Sequence, residues 1–357
     1  MTTALLISGG VDSAVACHLL VSRGIRPHLF HIRIVQPGES PDCTAEEDIE
    51  LSRLTARRYD LPLSVVDLSQ AYRDRVTDYV IRSLRLGLTP NPDTLCNPLI
   101  KFGAFEETVG KDFDAIATGH YAQSLTDEQG RRWLLTSPDP VKDQTDFLSR
   151  LTPAQLRKAV FPIGHLNKAQ VRAIADEQHL PSAHRRDSQG LCFLGRTGWR
   201  DHVRRYLGEK QGAVIEQETG KQVGTHRGHW FHTVGQRKGL GLGGGPWFVT
   251  DKDTERNIIF VTHAENYLLT DSFRLIDFRF PGGDPFEGAA RGECLVKIRH
   301  TEAPVPATFQ RLTPETWEIH THRPLLGVAP GQFGVIYSPD LRICAGSGEL
   351  RPKKLQP

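Results

Sequence analysis

A chain of 357 residues, 38% hydrophobic and 24% charged, carries enough apolar surface for packed cores. That composition excludes wholesale disorder, and the length suits two or three domains. No run of about 18 apolar residues occurs, so no membrane association is expected, and the opening MTTALLISGG lacks a basic region or a small-residue cleavage site, which points to the cytoplasm.

Residues 4–8 form a short apolar run that predicts a strand ending in Ser8-Gly9-Gly10. Val11, Val15 and Leu19 follow at four-residue spacing and predict a helix. A second apolar run, His28 to Val35, precedes the helical stretch AEEDIELSRLTARRY, and residues 63–68 and 114–119 read as further strands. Strand–helix alternation with buried apolar runs implies an α/β fold with a parallel, doubly wound sheet. Ligands of such sheets lie at the carboxyl ends of the strands, where Ser8 and Gly119 fall.

From about residue 196 glycine, histidine and aromatic residues become frequent, as in THRGHWFHTVGQRKGLGLGGGPWFV. Arginine and lysine also gather here: Arg196, Arg200, Arg204, Arg205 and Lys210, then Arg227, Arg237 and Lys238. With a formal net charge of only +2, affinity for phosphates has to come from such local patches. Composition alone fits a solvated surface equally well. After about 271 the pattern is mostly β: Cys294, Val296 and Ile298 alternate with Glu293, Leu295, Lys297 and Arg299, which suits a small barrel or sandwich. The expected domains are 1–195, 196–270 and 271–357.

The sharpest local signal is the hexad Ser8 to Ser13, SGGVDS, between a strand and a helix. Its two glycines bring backbone amides close to an anion, and the helix behind adds unpaired N–H groups and the positive end of its dipole. The loop has no Gly-Lys-Ser/Thr ending, so it is not a Walker loop. Six cysteines without a CxxC pair give no metal-ligand cluster, and no metal site is expected from ligand spacing.

Two of the cysteines occupy polar settings. Thr89-Pro90-Asn91-Pro92-Asp93-Thr94-Leu95-Cys96-Asn97 reads as a rigid loop, because each proline disfavours helix on the residue before it. A helix is predicted to start near Pro98, placing Cys96 ahead of a helix N-terminus, where a thiol becomes a thiolate more readily. Asp93 is close enough in sequence to serve as acid or base. A buried structural cysteine is the bland alternative. Asp187-Ser188-Gln189-Gly190-Leu191-Cys192-Phe193 follows the basic His184-Arg185-Arg186, and a cysteine in an electropositive segment suits reversible sulfur chemistry.

SGGVDS resembles the PP-loop of the ATP pyrophosphatases, whose fold is adenine nucleotide alpha hydrolase-like. SGGVDS, TPNPDTLCN with IKFG after it, ATGHYA, KDQTDF, DSQGLCF, TVGQRKGLG and APGQFGVIY occur in this order over nearly the whole chain. Together they resemble the tRNA 2-thiouridylase family, which thiolates C2 of the wobble uridine, position 34, of tRNA.

The resemblance implies a PP-loop domain, a small central domain and a C-terminal β-barrel. It also implies ATP with Mg²⁺, adenylation of the uracil oxygen, and a persulfide on Cys192 received from a donor protein, either a cysteine desulfurase or a sulfur relay protein. Cys96 is the implied partner thiol; whether it releases sulfide or resolves a disulfide with Cys192 stays open, and Asp93 is the implied acid or base. The ATP contacts carried over are Leu6, Ile7, Ser8, Gly9, Gly10, Val11, Asp12, Ser13, Ile32 and Gly119. Those to the target base are Asn91, Pro92 and Asp93, and those to the rest of the tRNA are His120, Lys142, Asp143, Gln144, Arg299, His300 and Gln332. The chain departs from the family pattern at His31-Ile32-Arg33-Ile34-Val35, where many members have Lys-Asn-Trp-Asp, and at His300, often tyrosine. Rival readings are a PP-loop amidotransferase or ligase, a tRNA-binding module without catalysis, and a PP-loop enzyme making 4-thiouridine.

Overall fold

The computed structural model describes residues 2–35, 43–186 and 198–352. Its first part is built on β1 (Thr3–Leu6), β2 (His28–Arg33), β3 (Leu63–Asp67), β4 (Ala115–Thr118) and a short strand at Ala159–Val160. They pair in the order β3-β2-β1-β4 and then 159–160, every pair parallel. The chain therefore leaves β1 toward one edge and returns to its other side with β4. This is the topological switch point at which open α/β sheets bind ligands.

Every residue of β1 and β4 is buried. Leu5, Ile7, Ala117 and Leu29 pack on one face with Val11, Val15 and Leu20 of α1 (Val11–Ser22). Ala4, Leu6, Phe30 and Ile116 pack on the other, against Ile100, Phe102 and Phe105.

The helix expected near Pro98 begins six residues earlier, at Pro92. Asn91 caps it, its side chain accepting from Thr94 N at 3.2 Å, and Pro92 sits at the first helical position, where a missing N–H costs nothing. Helix continues as a wide π-turn over Asn97–Ala104 and closes at Phe105–Thr108. Pro98 has no amide to donate, so the turn widens, and Gln155 Nε2 donates to the exposed carbonyls of Pro98 (2.8 Å) and Phe102 (3.0 Å). Cys96 thus lies inside the first turns of a helix and is 1% exposed.

The middle part is a four-stranded sheet, ordered Phe248–Asp253, Ile258–Thr262, Gly212–Glu216 and Gln222–His226. The helix Trp199–Leu207 ties it to the first part: Val203, with Trp230 and Phe231 nearby, packs on Val80, Ile81 and Leu84. The last part is a closed six-stranded barrel around Phe273, Phe309, Trp317 and Ile319. Val335, Tyr337 and Cys344 of the barrel join the apolar cluster of Leu6, Phe30, Cys96 and Ile100, so barrel and parallel sheet share one core. Arg150, buried, strengthens that seam by donating to Asp277 Oδ2 (2.6 Å) and Ser347 O (3.0 Å).

Buried histidines couple this fold to pH. His226 Nδ1 accepts from Gly228 N at 3.0 Å, so its Nε2 carries the proton toward Asn257 O at 3.1 Å, and the ring is neutral. Burial lowers His226 and His229, takes His232 to about 3 and takes His31 to about 4. Their depressed values mean that the unfolded chain binds more protons below the ordinary histidine range, so stability is present above it and drains away as pH falls toward 3–4. Thermal unfolding is expected to drop by several degrees between about pH 7.5 and pH 5, and His232→Phe to show a smaller drop. A melting temperature flat across that range contradicts the assignment.

Candidate nucleotide and RNA site

The loop after β1 is held from both sides by backbone. Gly9 has φ +75°, and a Cβ there would lie 2.5 Å from Asp48 O in α2 (Cys43–Tyr59). Gly119, just past β4, approaches so closely that a Cβ would sit 2.8 Å from Ser13 N. Ser13 Oγ donates to Gly10 O at 3.0 Å and receives Ser8 N at 3.2 Å, which folds the hexad into a tight cup at the head of α1. Ser8, Gly9, Gly10, Val11, Asp12, Ser13 and Gly119 are therefore one assembly, with an amide-rich helix N-terminus as its floor.

Ile7 and Leu6 point elsewhere: both are buried core residues on opposite sides of the sheet, so their share in the cup is backbone. Ile32 is likewise buried, and its neighbour His31 places Nδ1 3.2 Å from Ser52 Oγ, which donates to Asp48 O at 2.8 Å. Where family members carry a polar stretch, this chain therefore braces the carbonyl that Gly9 abuts.

Two residues that sequence reasoning missed complete the cup. Lys168 Nζ lies 2.8 and 3.0 Å from the two carboxylate oxygens of Asp12, and Tyr121 OH donates to Asp12 Oδ1 at 2.7 Å. Lys168 stands at the first position of the helix Lys168–Glu177, which is fixed by a capping box between Asn167 and Gln170. The sequence Asn167-Lys168-Ala169-Gln170 carries that signature, which marks the start of the helix but not the partner of Lys168.

The second group lies along 89–97. Thr89 N donates to Pro330 O (2.7 Å), Gln332 Nε2 donates to Thr89 O and Pro90 O (both 3.2 Å), and Asn91 Nδ2 reaches Gln332 Oε1 at 3.4 Å. A Cβ on Gly331 (φ +90°) would come within 2.8 Å of Leu88 Cβ, so the barrel's Pro330-Gly331-Gln332 turn clasps the loop directly. Asp93, half-buried, and Cys96 are three apart in the Pro92–Cys96 helix and so share a face. Cys192 lies outside the described residues.

The remaining candidates divide. Gln144 Oε1 accepts from Tyr121 N at 3.0 Å, which links the 142–144 turn to the cup through Tyr121. Lys142 is partly exposed on that turn. Asp143 is buried and accepts from Ser137 N (2.6 Å) and from Thr145, so its carboxylate holds the turn in shape. His120 is buried with Nδ1 2.7 Å from Thr118 Oγ1, and burial, with Lys101 nearby, drives its pKa well below the usual value. Arg299 spends its guanidinium on Leu326 O (3.1 Å), Gly327 O (3.0 Å) and Glu302 (2.9 Å).

His300 stacks on Phe147 at 4.3 Å and sits 2.9 Å from Asp146 Oδ2. Asp146, also missed, is buried and binds Lys297 Nζ at 3.2 Å, and Asn97 Nδ2 donates to Phe147 O at 3.0 Å, so the short helix Thr145–Leu148 bridges this barrel edge to the residue next to Cys96. Of the other cysteines, burial takes Cys17 and Cys294 to about 12 and Cys344 well above its ordinary value, which leaves them inert thiols.

Lys168→Met removes a cation from the mouth of the cup without adding bulk. ATP-dependent turnover is expected to fall about 10- to 100-fold, while RNA binding measured without nucleotide stays unchanged. Unchanged turnover contradicts the role of Lys168.

The model described as tRNA methyl transferase HUP domain matches residues 1–196, the tRNA methyl transferase PRC-barrel domain 200–263, and the aminomethyltransferase beta-barrel domain 270–350. The tRNA-specific 2-thiouridylase MnmA 2 of Bacteroides fragilis is 55% identical over 355 residues, covering 98% of this chain and 100% of that protein. MnmA 1 of Bacteroides thetaiotaomicron is 52% identical, with 98% and 99% covered. MnmA of Parabacteroides distasonis is 50% identical with the same coverage. A solved 4-thiouridine synthetase–RNA complex with bound ATP shares 18% identity over 54% of this chain and 45% of that one, at a TM-score of 0.34, too slight a likeness to build on. Matched along nearly its full length at half identity or better, the chain belongs to the tRNA-specific 2-thiouridylase family.

Proposed function

We propose that this protein is an ATP-dependent sulfurtransferase that replaces the C2 oxygen of the wobble uridine of tRNA with sulfur. The observation that carries the reading is the pairing of a phosphate-gripping cup at the switch point with a second loop that sets Asp93 and Cys96 on one helix face. The uracil C2 carbonyl is a poor electrophile and its oxygen a poor leaving group. Attack of that oxygen on the α-phosphorus of ATP forms an adenylate and expels pyrophosphate, which the amides of residues 9–13 and the Lys168–Asp12 pair are placed to receive.

Sulfur then attacks C2, and AMP departs with the former uracil oxygen. The sulfur comes from a persulfide on Cys192, charged by a persulfide donor protein. The Cys96 thiolate attacks the Cys192 Sγ, so the S–S bond of the persulfide breaks, a Cys96–Cys192 disulfide forms, and the outer sulfur is delivered either directly or as sulfide. An external thiol reductant resets the disulfide. Asp93 exchanges the proton at the uracil. The target base leaves its stack to enter the loop of Asn91, Pro92 and Asp93, at modest cost in an anticodon loop.

Magnesium fits the donor set: among the described residues no cluster of three metal-ligating side chains occurs, but Asp12 supplies one carboxylate at the cup, and magnesium normally takes one or two carboxylates plus substrate phosphates. When bound it neutralises charge on the polyphosphate. No described helix is long and apolar enough to cross a membrane, and the reaction as proposed belongs in the cytoplasm, where ATP, tRNA and reductant coexist.

The names of the matched models suggest a second reading, methyl transfer to tRNA. That reaction needs neither a polyphosphate cup nor a thiol on a substrate-facing helix. Mass analysis of nucleosides from tRNA incubated with protein, ATP, Mg²⁺ and a sulfur donor separates sulfur-for-oxygen exchange from methylation. Cys96→Ser and Cys192→Ser are each expected to lose thiolation by about 100-fold or more while binding tRNA nearly as well. Full thiolation by either variant refutes the two-thiol chemistry.

A further inference from the structure

A basic cup on the middle sheet has no part in the chemistry above. Residues 237–242 and 245–247 line an open cavity of about 560 Å³, and this stretch carries left-handed glycines at 239, 241 and 244. Arg237 and Lys238 stand exposed on its wall, and Arg200, exposed on the helix Trp199–Leu207, reaches over with Nη2 3.5 Å from Gly239 O. Among the described residues none of these three cations has an acidic partner, and the Arg237 guanidinium lies 6.0 Å over the ring of Phe248. Half-buried Leu240 and Leu242 and buried Trp247 form the floor, with Trp247 fixed by its indole N–H to Gly243 O at 2.9 Å. At Gly241, Gly243 and Gly244 nothing lies within 4 Å of where a Cβ would project, so that side of the backbone is open to close approach.

Cations without acidic partners among the described residues, set over an apolar floor, suit a ligand of alternating phosphate and ribose. A cavity of this size takes one or two nucleotides and is small for a folded protein surface. Its place also favours RNA. Gly235, two residues before the cup, packs on Gly327, where a Cβ would come within 3.2 Å of Cα and 3.7 Å of Arg299 Nη2, so the chain enters the cup from beside the barrel's Arg299.

We propose that Arg200, Arg237 and Lys238 form a second RNA-binding site, which holds the sugar–phosphate backbone of the tRNA outside the reacting loop. The inference rests on tRNA being the substrate. The phosphates lie against the three cations and the ribose faces against Leu240 and Leu242. Such contacts position the substrate and carry no sequence information. The site therefore sets affinity and register for tRNA as a class, while the segment of residues 89–97 selects the base.

The test uses the full chain with Arg237→Ala and Lys238→Ala together, and unmodified tRNA as probe in fluorescence anisotropy across a series of KCl concentrations. Affinity is expected to fall about 10-fold or more, and the slope of log affinity against log salt to shrink by about 2, one for each phosphate that the variant leaves unneutralised. The rate of thiolation at saturating tRNA should hold, and the charge-preserving exchange Arg237→Lys with Lys238→Arg should restore most of the affinity. An unchanged slope in a variant that melts like the parent overturns the proposal. Unchanged tRNA affinity with slowed sulfur delivery from a persulfide donor also overturns it, by making the cup a protein dock. Absence of thiolation by the unaltered protein would be a failure of the substrate reading instead.

Discussion

Two missing side chains set the terms for the whole site. With any Cβ at Gly119 the first turn of α1 would be pushed away from β4, and with any Cβ at Gly9 the loop would collide with the backbone of Asp48. Because both are absent, the helix head sits at the switch point of the sheet with its amides turned to the mouth. A polyphosphate bound there is held by backbone whose geometry is dictated by the fold, at little cost in ordering on binding. Asp12, Tyr121 and Lys168 then set the charge at the rim.

The barrel works as a scaffold for chemistry carried on another domain. The 89–91 loop gains its outer hydrogen bonds from Gln332 and Pro330, and the helix it feeds is buried against barrel residues Val335, Tyr337 and Cys344. Asp146, with Lys297 and His300, adds a buried charge contact across the same seam. Removing one partner of such a pair costs about 3–5 kcal/mol, because a buried charge is left uncompensated. Barrel and sheet are thus a single body, and the clasped loop is presented in a fixed position relative to the phosphate cup.

Much of this is legible in the sequence. Apolar runs bounded by Gly and Asp place the four main strands of the parallel sheet to within one or two residues, since buried parallel strands read as continuous hydrophobic stretches. SGGVDS announces its strand–loop–helix context by itself. The helix at Pro92 starts earlier than its sequence suggests because a proline reads as a breaker, whereas after a capping Asn91 it is a starter. Lys168 and Asp146 are hidden for a different reason. Their partners, Asp12 and Lys297 with His300, lie far away in sequence, and no local pattern encodes a contact over that separation. The converse holds for Asp143, His120 and Arg299, which the family resemblance assigns to contact with RNA while burial or backbone acceptors already engage them.

The central claim is that the uracil oxygen itself passes to the nucleotide. It is tested most directly with tRNA carrying ¹⁸O at C2 of the wobble uridine, followed by mass analysis of the AMP released in one turnover. The account predicts that the heavy oxygen appears in the phosphate of AMP, in step with sulfur entering the base. Heavy oxygen found in water or pyrophosphate, with AMP unlabelled, would contradict it.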